Sequence, residues 1–173
     1  MQFNLPTSIE ILDRTPLVLK TLLQNLPEDW TTPNEGPDTW SPYDVVGHLI
    51  QGEKKDWIPR AKIILTHGES VPFTPFDRFA QFEESKGKTL NQLLEEFERL
   101  RAENITALKS LNISSEDLMK TGMHPGLGQV TLENLLASWV VHDFGHINQI
   151  SRVMAKQYIN EVGPWTEYMG VLK

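Results

Sequence analysis

Five histidines, His48, His67, His124, His142 and His146, are the most versatile chemical groups in this 173-residue chain. Two of them share a stripe. Leu135, Trp139, His142, His146, Ile150 and Val153 follow one another at intervals of four, three, four, four and three residues. At 3.6 residues per turn that is one face of a helix, and its apolar members mark it as the inward face. Histidines four apart stand one above the other, about 6 Å along the axis, and can share one metal ion. His48 is the natural third donor: it follows Val45, adjoins Leu49, and has Gly52 one turn later to leave space beside it. Three neutral imidazoles suit zinc, nickel, iron or cobalt. With no fourth protein ligand in sight, one coordination position stays open, the pattern of a reactive site rather than a closed structural one.

Other residues fit this site less well. Glu53, five past His48, and Asp143, beside His142, lie off the stripe and make poor ligands. Gln149, seven past His142, lies close to it and is a candidate to hydrogen-bond a ligand histidine or the substrate. His67 sits in a Thr-His-Gly turn and His124 in a loop, where surface roles suffice. Ser138, four before His142, gives a serine–histidine pair with no third member. Against the metal reading stands a plainer one, in which inward histidines are satisfied core residues and an H-x-x-x-H spacing arises by chance.

Composition narrows the rest. There is no cysteine, so disulfides, thiolate catalysis, zinc fingers and iron–sulfur clusters are excluded. Net charge is −7, and the one adjacent basic pair, Lys54-Lys55, is flanked by Glu53 and Asp56. Nucleic acid, which requires a basic stripe, is therefore not an expected partner. No apolar run approaches the ~20 residues of a membrane helix, and no signal peptide is visible at Met1–Pro6. The expectation is a cytoplasmic protein.

The elements that must position these residues are helical. Residues 1–173 read as a single all-α domain built on four long helices. The first runs from Thr7, with Glu10 as its capping-box partner, to Leu26; Pro16 either splits or kinks it. The second is capped by Ser41, followed by Pro42 and Asp44, and extends to Thr66 with a kink at Pro59. His67 to Lys88 reads as a long crossover whose Phe73, Phe76, Phe79 and Phe82 are too apolar for a free linker. The third helix starts at Thr89, with Gln92 completing its cap, and runs beyond Leu108. Asn112 to Val130 reads as irregular. The fourth helix starts at Thr131 and runs to about Tyr158. Helices with mixed loop lengths make a four-helix bundle, whose core is where facing helices pool metal ligands.

Three stretches resemble the DinB-like superfamily: Trp40-Ser41-Pro42 followed by Gly47-His48-Leu49, the run from Trp139 to Val153, and the ending Met154–Tyr158 with Gly163-Pro164-Trp165. The resemblance covers nearly the whole chain. It implies an up-down-down-up bundle with the crossover between helices two and three, and one divalent metal on His48, His142 and His146. It also implies a homodimer, and activity either as a metal-dependent hydrolase or as a transferase using a low-molecular-weight thiol such as bacillithiol or glutathione. A metal- or ligand-binding bundle without catalysis is the alternative. On the lead reading the nucleophile works beside an apolar wall that includes Trp139. Phe73, Phe76 and Phe79, with Trp165, Tyr168 and Met169, are the candidate interface residues.

Overall fold

A computed structural model describes residues 1–173. Helix α1 spans Leu5–Leu23. It begins two residues before Thr7, because Asn4 caps it by accepting the Thr7 N–H at 2.9 Å and Pro6 suits the first turn. It neither splits at Pro16 nor reaches Leu26. Pro16 has no N–H to offer the Leu12 carbonyl, an omission that normally leaves a buried acceptor bare. Here Arg101 Nη1–H donates to Leu12 O at 2.7 Å and fills the gap.

A short α2 (Glu28–Thr31) precedes the second long segment, which is two helices, α3 (Pro42–Lys55) and α4 (Trp57–His67). Ser41 and Asp44 form a reciprocal cap at its start. The break lies at Asp56, ahead of Pro59, because the proline ring would meet the Lys55 carbonyl four residues back. The crossover carries a 3-10 turn at Gly68–Ser70 and the short helix α5 (Ala80–Glu84), and α6 (Leu90–Ser110) is capped by Thr89 with Gln92 completing the cap. Residues expected to be irregular contain α7 (Ser115–Leu118) and a hairpin of β1 (Thr121–His124) and β2 (Gly128–Thr131), paired antiparallel with Met123 opposite Gln129. The last helix, α8, is Leu132–Lys156, capped by Thr131 and Asn134.

Contacts between helices fix their directions. Tyr43 Oη–H donates to Ser85 O and Lys88 O at 2.6 and 2.9 Å, so α3 and α6 start at the same end. Lys20 meets Glu98 and Asn25 meets Asn91, so α1 runs against α6. Trp57 stacks on Trp139 while His48 meets His142, so α8 runs against α3 and α4. The course is up-down-down-up, and a crossover of the length seen is what two successive parallel helices require.

The core is two apolar clusters. One gathers Trp57, Ile64, Phe73, Leu108, Leu132 and Trp139; the other gathers Leu19, Val46, Leu49, Leu93, Phe97 and Ile150. Between them along the helices lies a polar layer of Glu53, Arg101 and Asp143, all buried. Arg101 holds Asp143 with two bonds of 2.6 and 3.0 Å and Glu53 with two of 2.8 and 3.1 Å. Asn104 Nδ2 and Trp139 Nε1 add donors to the Glu53 carboxylate at 2.9 and 3.3 Å. No helix of the chain is long and apolar enough to cross a membrane.

Candidate metal centre

His48 comes from α3, His142 and His146 from successive turns of α8. The antiparallel packing of those helices brings His142 Nε2 to 3.2 Å from His48 Nε2 and 3.1 Å from His146 Nε2. The three donor atoms all lie within 4.8 Å of one another. Two imidazole nitrogens at ~2.0–2.1 Å from one ion would be roughly 3.3 Å apart in a tetrahedral site and about 2.9 Å in an octahedral one. Those observed spacings fit one shared ion.

Electrostatics and hydrogen bonding suit the same role. Burial pushes the His48 pKa down to about 3, with His146 and the Arg78 charge adding to the effect. Burial likewise takes His142 down to about 3, reinforced by His146, His48 and Arg101, and lowers His146. All three rings are neutral at pH 7, the state in which imidazole offers a lone pair. Gln149 Oε1 lies 2.9 Å from His146 Nδ1. A carbonyl oxygen only accepts, so Nδ1 carries the proton and Nε2 keeps its lone pair. His48 Nδ1 and His142 Nδ1 are buried with no hydrogen-bond partner.

Aromatic side chains hold the imidazoles in place. The Trp40 ring lies 4.7 Å from His48 and stacks on His146 at 6.4 Å. Phe76 meets His48 edge-on at 5.5 Å, and Trp57 meets His142 at 5.1 Å. Trp139 is not in this wall. Its indole is fully buried, stacks on Trp57 and points its N–H at Glu53. The space left by Gly52 is likewise taken by Trp57, whose Nε1 would lie 3.1 Å from an added Cβ. Gly47, beside His48, has a sharper requirement: a Cβ there would lie 2.5 Å from Ser85 Oγ, so glycine lets the crossover close over α3. Phe73 and Phe76, expected to face a partner, turn inward instead.

Glu53 and Asp143 face Arg101, not the histidines. His67 is exposed at the end of α4, and His124 Nδ1 accepts the Gly126 and Leu127 N–H groups within its hairpin. Ser138 lines a shallow cleft beside His142. Arg101 escaped the reading of the sequence, although Leu94, Phe97, Arg101, Ile105 and Leu108 are spaced three, four, four and three. A charge inside an apolar stripe was the available signal.

A family model described as the DinB superfamily matches residues 11–150. The chain belongs to this superfamily. The matched region of this DinB-superfamily chain contains all three histidines and Gln149. Among solved structures, the chain is similar to YfiT from Bacillus subtilis, described as a probable metal-dependent hydrolase with an unusual four-helix bundle topology. The two are 24% identical, with a TM-score of 0.74 over 88% of this chain and 86% of that one, a likeness of fold. No curated protein matches the sequence.

A cleft of about 570 Å³ opens beside the centre, lined among others by Trp40, Arg78, Phe79, His146, Gln149 and Arg152. Glu35, on its far wall, is held by Arg152 Nε at 3.0 and 3.1 Å and by Lys156 Nζ at 2.9 Å. Arg152 above all, with Lys156, holds the Glu35 carboxyl down to about 2 against the effect of burial.

Proposed function

We propose that this chain is a metal-dependent enzyme, with His48, His142 and His146 holding one divalent ion and a coordination position left open toward a small-molecule substrate. The supporting observation is the convergence of three neutral imidazoles, with no carboxylate among them, beside an open cleft. Zinc or nickel fits the donor set best, with iron or cobalt as further candidates; such an ion acts as a Lewis acid and makes a water or thiol nucleophilic at neutral pH. The chain's residues do the rest. Burial keeps the imidazole lone pairs free of protons. Gln149 fixes the His146 ring, and Trp40 and Phe76 pack on His48 and keep water from its faces.

The reaction is hydrolysis or transfer of a low-molecular-weight thiol. The printed description of YfiT supports the first. The second rests on the family resemblance. A cytoplasmic homodimer without nucleic-acid partners completes the reading.

Elemental analysis of purified protein should find about one transition-metal ion per chain, and His142→Ala should lose most of it. Turnover is then sought on activated esters and amides, and on electrophiles offered with several small thiols. Activity should vanish with chelator, return with metal and be absent in His48→Ala. Full metal retention in His142→Ala would remove that residue from the centre. A metal-replete protein inert on both panels would be a binding bundle rather than an enzyme.

A further inference from the structure

Arg78 is an arginine with nothing to hold. Arg60, Arg99, Arg101 and Arg152 each sit within salt-bridge distance of a carboxylate; Arg78 and Arg14 do not, and of these two Arg78 alone lines the cleft beside His146. Its sequence neighbour Asp77 is spent on its own backbone, accepting the Phe79 N–H at 2.9 Å. The Arg78 guanidinium instead lies over two rings, 5.7 Å from the Trp40 centroid and 5.7 Å from the Phe79 centroid. Stacking uses the flat face of a guanidinium and leaves the N–H donors around its edge free. Those donors border the cleft beside His146.

The charge around that cleft points the same way. Arg152 is spent on Glu35 across the cleft wall, with Lys156 behind the lining adding to that pair, and Asp38 stands at the exposed rim. Of the charged residues that line the cleft, Glu35 and Arg152 are paired with each other, so Arg78 is the one cation there without a carboxylate partner. Gln149 contributes a further donor, since its Oε1 is engaged by His146 and its Nε2 is not engaged. Phe79 and Phe82 add exposed apolar surface. Trp40 lies under Arg78 and also stacks on His146. Guanidinium and imidazole thus pack on the same indole and line the same cleft.

We infer that this cleft binds the substrate and that Arg78 recognises a carboxylate on it, the rest of the molecule lying on the Trp40, Phe79 and Phe82 surface with its reactive end toward His146. This rests on the reading above that the histidine cluster is the reactive centre. A planar guanidinium fork with no carboxylate partner of its own matches a carboxylate.

The test is binding by the full chain, metal-loaded and chelator-treated, of 3-phenylpropionate and its uncharged analogue 3-phenylpropionamide, by calorimetry. The wild-type protein should prefer the carboxylate by about tenfold in both states, as expected of a charge-assisted pair. Arg78→Gln should bring the two ligands to within about twofold, and Arg78→Lys should keep part of the preference because it keeps the charge but not the fork. Arg78 is exposed, so neither variant threatens the fold. Equal affinity for both ligands in the wild type would overturn the inference. So would an undiminished preference in Arg78→Gln, or a preference lost on chelation, which would make the ion the anion site. A protein that holds no metal yet keeps an Arg78-dependent preference would defeat the metalloenzyme reading and leave this cleft standing.

Discussion

At the scale of single residues, the centre depends on which nitrogen of each histidine is free. Only His146 has a partner for its second ring nitrogen, the Gln149 side chain at 2.9 Å. Removing an outer hydrogen bond of this kind lowers metal affinity by roughly 10–100-fold. Gln149→Leu should therefore weaken metal binding by about tenfold in a competition titration with a chromophoric chelator, with helix content by circular dichroism unchanged. Gln149→Glu, which keeps an acceptor, should bind at least as tightly as the wild type. Unchanged affinity in Gln149→Leu would mean that helix packing alone orients His146. Spacing along one helix was enough to put His142 and His146 on one face with Gln149 near them. Spacing could not show that Trp40, Phe76 and Trp57 pack on the rings, because those contacts join α3, α4, α8 and the crossover.

At the scale of elements, the polar layer ties four helices through one guanidinium. Arg101 on α6 bonds Glu53 on α3, Asp143 on α8 and the carbonyl of Leu12 on α1, the one freed by Pro16. Asp143 is the neighbour of His142, so the same layer sets the depth of α8 beneath the histidine cluster. Taking one partner from a buried ion pair leaves its opposite charge bare and costs about 3–5 kcal/mol. Arg101→Met should lose stability of about that size in urea unfolding, because Glu53 and Asp143 would then face each other without a cation. A loss under about 1 kcal/mol would show that water or a proton replaces the guanidinium. The caps at Ser41, Thr89 and Thr131 and the four long helices were legible in the sequence because they are local chemistry. Pro16 was not, since its missing bond is made good by a residue 85 positions away, in a different helix. The hairpin was missed for a related reason. Thr121-Gly122-Met123-His124 has weak strand propensity, and the strand is held from outside by Met123 O accepting the Phe73 N–H at 2.9 Å.

At the scale of the whole molecule, the outward faces matter. A bundle helix normally turns polar residues to solvent, yet α8 exposes Val141 and Phe144, and α1 exposes Leu17 and Val18. The two helices pack side by side in the same direction, so both carry exposed apolar residues on regular elements. The tail exposes Trp165 and Tyr168 as well, but on irregular turns. Exposed apolar residues on neighbouring helices are a surface a second copy can cover by symmetry. The expectation is a homodimer of twice 19.8 kDa by light scattering at working concentration. Val141→Glu with Phe144→Glu should shift that mass to the monomer while leaving helix content intact, because both side chains are more than half exposed. A wild-type monomer would sink the dimer outright. A dimer that survives both substitutions would move the interface to the tail, where Trp165→Glu is the corresponding test. Val141 also borders the shallow cleft at His142, so a partner seated on Val141 and Phe144 would shield that flank of the histidine cluster. The cleft at His146 lies past the Trp40 side and stays open, and dimer formation should therefore leave the carboxylate preference governed by Arg78 unchanged in the monomeric variant.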